Sequence, residues 1–221
     1  GVLYPGFEAD LIAAGGMPGD PVVAPAPLRP FTEEVGVAPG RLRVAFSVAR
    51  PDGQQVHEDC ATAVRRLAQL LESLGHDVEE AAPLVPSEGI MTALAIGMAA
   101  PLTARVDAWL ESTDRTLGDD DLEPFTRVIY DVGKGLSGVD VVRALEAVER
   151  TGHAVGPFFE RYDLLLTATI AEPAPALGVL DTTRPEVMYA RAGDFSANTS
   201  IYNITGQPAI SLPLEVSAEG L

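Results

Sequence analysis

At 221 residues and 47% hydrophobic composition, the chain can form one large domain or most of two, with a sizeable buried core. Its formal net charge of −17, with Lys134 the sole lysine and the arginines scattered, argues against binding a nucleic-acid phosphate backbone. A single cysteine, Cys60, excludes an intrachain disulfide framework and is compatible with a cytoplasmic setting.

Residues 1–40 read as a Pro/Gly-rich extended segment. Pro18, Pro21, Pro25, Pro27 and Pro30 exclude a helix interior, and both a flexible linker and an ordered wrap over a neighbouring surface satisfy them. No basic flank followed by an apolar run opens the sequence, so no signal peptide is expected.

From Arg41 the pattern sharpens. In "RLRVAFSVA", Leu42, Val44, Phe46 and Val48 alternate with Arg43, Ala45 and Ser47, which predicts a strand. A turn follows at Pro51-Asp52-Gly53. Val56, Cys60, Val64, Leu67, Leu71 and Leu74 then recur at helical spacing up to Gly75, a natural C-terminal cap. "HDVEEAAPL" reads as a second strand. The resulting βαβ unit favours a parallel pair with a right-handed crossover.

Helices dominate next. One covers Ser87 and Ile90 to Leu110, with Pro101 inside it; its low-charge stretch, Ile90 to Thr103, is too short for a membrane span and is interrupted by Gly97 and Pro101. An acidic break at Gly118 to Asp121 leads to a helix over Leu122 to Val132. Another starts at Ser137, an N-cap with Asp140 three residues on, and its expected stripe is Val141, Leu145, Val148, Val155 and Phe159. "YDLLLTATIA" reads as a strand buried on both faces. Residues 193–205 read as helical and "PAISLPL" as a last strand. The fold class is α/β.

The residues alone disclose no reaction. His57, His76 and His153 lie in no metal-ligand spacing, and Asp119-Asp120-Asp121 suits a solvated helix start better than a metal site. Glu58 and Asp59 beside Cys60 would raise its thiol pKa, which counts against a nucleophile. "GKGLSG" at 133–138 has the wrong glycine spacing for a phosphate loop. There is no G-x-S-x-G elbow, and Ser47, Ser137, Ser200 and Ser211 have no evident base.

The order of segments, however, resembles a known family. "GMPGDPVVAPAP", "RLRVAFSVA", "LLESLGHDVEEA", "FFERYDLLLTATIAEPAPALG" and "YNITGQPAISLPL" are together similar to the C-terminal portion of amidase signature enzymes, over residues 11–221. "GDPVVAPAPLRPF" is most similar to the branch with cyclic-amide and aryl-amide hydrolases. The resemblance implies part of a mixed β-sheet flanked by α-helices. It also implies hydrolysis of a carbon–nitrogen amide bond by a serine nucleophile, a second serine in a cis peptide and a neutral lysine base.

The family carries those groups in its N-terminal half. No Gly-Gly-Ser-Ser run is present here, and Lys134 matches a variable position, so no catalytic residue carries over. Ala168 stands where the family often has proline. What the resemblance implies for residues 41–221 is a C-terminal α/β portion that completes the sheet and shapes the substrate pocket, with 86–160 as its variable helical region. This chain alone is expected to be inactive.

Near "NITGQP", Phe195, Tyr202, Asn203 and Thr205 are the substrate-pocket candidates. Phe195 and Tyr202 suit a core as well as a pocket, and Asn203 suits a cap of the Thr205-Gly206-Gln207 turn. Trp109 reads as helix packing. The expected partners are a small-molecule amide and the missing N-terminal half or a complementary chain, with a homodimer left open. Nucleic acid, membrane, metal and cofactor are not expected. Two other readings stand beside the amidase: a non-catalytic α/β binding or assembly module derived from an amidase, and the glutamyl-tRNA amidotransferase subunit of the same family.

Overall fold

The computed structural model describes residues 19, 26–86, 89–213, 215–217 and 220. Ser87, Leu214, Ala218 and Glu219, and most of the expected extended segment at 1–40, lie outside the described residues. Within that segment Phe31–Glu33 form one exposed 3-10 turn.

Strand β1 (Arg43–Phe46) is the centre of a three-stranded sheet of order β2-β1-β3, flanked by β2 (Asp77–Glu80) and β3 (Leu164–Leu166), with both pairings parallel. Val44 pairs with Val78 on one side and Leu164 on the other. The central position explains why Val44 and Ala45 are both sealed from solvent although alternation marked only one apolar face.

Helix α1 (Glu58–Ser73) completes the βαβ unit. The His57 imidazole caps its first turn by accepting from the Asp59 N–H at 3.2 Å. Its buried face is Ala61, Val64 and Ala68, and Ala61 and Val64 pack with Val48, Val56 and Ala171. Leu74, expected in the stripe, is exposed, because it is the C-cap residue, one position past the last helical residue, Ser73. Gly75 at φ +94° ends the helix in a left-handed cap.

A helical layer follows. Helix α2 (Ile90–Thr113) continues through Pro101 and ends just past the expected Leu110. At 24 residues it is long and apolar enough, by length and composition alone, to cross a bilayer, which corrects the expectation of a stretch too short to span. In this fold it is the element on which α3 (Pro124–Lys134) and α4 (Gly138–Val155) pack. Gly133 of α3 sits directly against Thr103 and Ala99 of α2, and the buried Thr103 hydroxyl donates to the Tyr130 carbonyl at 3.1 Å. Helix α4 opens with the expected Ser137–Asp140 capping box. Its buried face is Ala144, Ala147, Thr151 and Val155; of the expected stripe only Val155 is fully buried, Leu145 is 59% exposed, and Val141, Val148 and Phe159 are half-buried. The alanines meet Ala93 and Ile96, where a leucine would hold the helices apart.

The short helix α5 (Phe158–Arg161) leads into β3. The expected burial of this strand on both faces is corrected: Leu164 is half exposed, since β3 is an edge of the described sheet. Arg43 ties β3 to β1, donating from its backbone N–H and its guanidinium to the Asp163 carboxylate. The helix expected at 193–205 is two helices, α6 (Pro185–Phe195) and α7 (Ser200–Thr205), and Gly206 at φ +73° closes the second. "PAISLPL" forms no ladder among the described residues. Ile210 is 83% exposed, and the Ser211 hydroxyl meets the Thr169 hydroxyl at 2.9 Å. A strand requires a hydrogen-bonding neighbour, and none of the described residues supplies one.

Candidate substrate cleft

Three sequence-distant pieces enclose a cleft of roughly 440 Å³. The loop after β1 supplies Arg50, Pro51 and Asp52. Val85 and Pro86 lie ahead of α2, Ile90, Met91 and Leu94 come from its first turns, and Tyr189, Gly193, Asp194, Ser200, Ile201 and Ile204 from α6 and α7. Of these lining residues, Ile90, Ile201 and Ile204 form one buried apolar cluster. Phe125 of α3 stacks on the Tyr189 ring with centroids 6.4 Å apart.

Polar groups gather at one side. Arg50 Nη2 donates to Asp194 Oδ1 at 3.2 Å and lies 2.8 Å from Asp52 Oδ2, bridging the β1 loop to α6. The Gln54 backbone N–H and side-chain amide also donate to Asp52, at 3.0 and 3.2 Å. The Arg50 side chain is only 14% exposed, and its Nε–H is buried with no partner among the described residues. Such an orphaned donor normally costs about 1–3 kcal/mol.

The sequence candidates sit beside this cleft rather than on its lining. Phe195 ends α6, where its carbonyl accepts from the Ala171 N–H at 3.1 Å. Tyr202 packs on the isoleucine cluster, and burial pushes its phenol up to about 12. Asn203 is exposed, and the Thr205 hydroxyl bonds the Ile201 carbonyl at 3.0 Å and Gln207. The lining residues Ile201 and Ile204 come from the same short helix as Tyr202, Asn203 and Thr205. Arg50, Asp52, Tyr189 and Asp194 had no local signal, since Arg50 and Asp194 are 144 positions apart. Asn198 was also missed. It is 3% exposed, and its amide donates to the Ala168 carbonyl at 2.9 Å, fixing the α6–α7 turn to the residues after β3.

No nucleophile–base pair is assembled among the described residues. The Ser200 hydroxyl meets Ser196, the Ser47 hydroxyl donates to the Ala49 carbonyl, and Ser137 is spent on its cap. Lys134 Nζ lies 2.8 Å from the Asp107 carboxylate, whose hydrogen bond raises the lysine pKa and holds it charged, the opposite of what a base requires. Burial first, and Asp59 second, push the Cys60 thiol up. His76 accepts from the Leu42 N–H, and Asp121 accepts from the Gly118 N–H. Among the described residues no three His, Cys, Asp or Glu side chains gather as a metal-ligand group. Trp109 is half exposed beneath the Arg115 guanidinium, 5.1 Å from its ring centroid.

The family model described as Amidase matches residues 11–221. A Mycobacterium leprae protein assigned as the amidase AmiC is 33% identical over 191 residues, covering 83% of this chain and 39% of that protein. The solved structure of 6-aminohexanoate cyclic dimer hydrolase complexed with substrate superposes with a TM-score of 0.81 at 26% identity, over 95% of this chain and 47% of that one. A bacterial aryl acylamidase of the amidase signature family shares the fold, with a TM-score of 0.63 at 16% identity, over 83% of this chain and 39% of that one. The chain spans about two fifths of the length of the curated relatives it matches.

Proposed function

This chain belongs to the amidase signature family, and from that premise we propose that it serves in hydrolysis of a carbon–nitrogen amide bond, as the C-terminal half of a longer polypeptide. In this reading the chain extends the sheet and supplies one wall of the substrate pocket. The observation that supports it most is the close superposition on 6-aminohexanoate cyclic dimer hydrolase across nearly the whole chain. The cleft of mainly apolar residues with a few convergent polar groups has the character of a small-molecule site. A small amide is the proposed substrate, and the cytoplasm the proposed location.

The chemistry divides accordingly. These residues bind and orient: the isoleucine wall takes up an apolar group and excludes water, while the Arg50–Asp194 bridge fixes the spacing of the two sides of the cleft. Phe195 from the end of α6 and Tyr202, Asn203 and Thr205 from α7 are proposed to flank the substrate. The nucleophile, its proton acceptor and the oxyanion donors are assigned to sequence outside these 221 residues.

The test compares this chain with the longer polypeptide on aryl-amide and cyclic-amide substrates, with fluorophosphonate labelling of the serine. Turnover and labelling are expected only for the longer form. Sustained hydrolysis by the 221-residue chain alone would refute the division of labour. A second reading, a non-catalytic binding module, is supported by the mainly apolar cleft, which can hold a ligand without any nucleophile. It predicts that the longer polypeptide is inactive too.

A further inference from the structure

The charge at the cleft mouth is not balanced. One guanidinium, Arg50, faces two carboxylates, Asp52 and Asp194, so the cluster carries one net negative charge. The three groups are also unequally accessible. Asp52 is engaged by Arg50 and by both Gln54 donors. Arg50 is mostly covered, at 14% side-chain exposure, whereas Asp194 is 49% exposed. Asp194 receives one long hydrogen bond, at Oδ1, and its Oδ2 accepts none among the described residues.

A ligand lying along the apolar wall of Ile90, Leu94, Ile201 and Ile204 therefore meets an accessible carboxylate oxygen at the mouth. A terminal carboxylate there would be repelled by two like charges and could reach little of Arg50. A terminal ammonium would place a donor on the open Asp194 oxygen and neutralise the cluster. The overall charge of −17 acts in the same direction at longer range.

We propose that this cleft binds a medium-length alkyl or aryl-alkyl chain ended by a cationic ammonium group, with Asp194 as its anchor. The assignment of a substrate class, an amide whose chain carries a terminal amine, rests on the cleft being the substrate pocket proposed above. The binding itself does not.

The test titrates the isotopically labelled longer polypeptide with hexylammonium, hexanoate and hexan-1-ol at neutral pH, following amide resonances of Gly193, Ile201 and Ile204. Hexylammonium is expected to bind about tenfold tighter than hexanoate, since one is attracted to and the other repelled by a partly exposed charge. The Asp194→Asn variant is expected to lower the hexylammonium affinity to that of hexan-1-ol. Retained hexan-1-ol binding by the variant shows that its cleft is still folded. Equal or tighter binding of hexanoate would place the anchor on Arg50 and overturn the proposal. So would equal binding of hexylammonium and hexan-1-ol to the unmodified chain, or no shift at the cleft with any probe. Selective ammonium binding without hydrolysis by the longer polypeptide would leave this site standing and remove the amidase reading instead.

Discussion

Replacing Gly133 with alanine tests the close approach of α3 to α2. The new methyl carbon would lie 2.0 Å from Thr103 Oγ1, 2.6 Å from the Ala99 carbonyl oxygen and 2.9 Å from Thr103 Cβ. Rotating Thr103 away breaks its 3.1 Å bond to the Tyr130 carbonyl and strands a hydroxyl in a position only 7% exposed. That step costs about 1–3 kcal/mol. Ala99 contributes backbone, so α2 and α3 must also separate, at about 1–3 kcal/mol for overpacking. Alanine returns about 1 kcal/mol of helix propensity. The net loss is about 3 kcal/mol, which for a chain of this size lowers Tm by roughly 6–12 °C. Urea and thermal unfolding followed by circular dichroism read the change. Gly152→Ala is the control, since nothing lies within 4 Å of its added carbon; it is expected to stabilise by up to about 1 kcal/mol. A Gly133→Ala protein as stable as the parent would refute the close approach. Adding Thr103→Ala should recover part of the loss, because the two sites are coupled through one contact.

Two further outcomes follow from single contacts. The Arg43 guanidinium and backbone N–H hold the Asp163 carboxyl well below the ordinary range, at about 2. Since the folded form binds this proton less readily than the unfolded chain, the contribution to stability is complete above about pH 4 and disappears as pH falls toward 2. A carboxyl-carbon NMR titration should place Asp163 near 2, Asp163→Asn should flatten that part of the acid-unfolding curve, and a midpoint near 4 would contradict the contact. Asn198→Ala should cost about 1–3 kcal/mol, because it leaves the Ala168 carbonyl without its amide donor. An unchanged urea midpoint would show that the α6–α7 turn does not depend on it.

Much of the fold was legible in the residues because the rules involved are local. Gly75 closing α1, the Ser137–Asp140 box opening α4 and the parallel β1–α1–β2 unit each depend on groups within a few positions or one short crossover. The motifs "YDLLLTATIAEPAP" and "NITGQPAISLP" pointed to the amidase signature family, and the match over residues 11–221 establishes it. Faces were harder to read. Valines and leucines lie on several sides of α4, so periodicity favoured Leu145, while the tertiary contact selected Ala144 and Ala147. "PAISLPL" has strand composition, but pairing is a property of two segments and its own residues cannot provide it.

The order of elements, their caps and the family were written into the chain by neighbours close in sequence. The cleft was not, because its three walls begin far apart along the chain. Only tertiary packing sets the covered guanidinium of Arg50 between Asp52 and Asp194 and leaves Asp194 open at the mouth of an isoleucine-lined pocket. Accessibility of a charge is fixed by what packs around it, and spacing along a sequence carries no record of that.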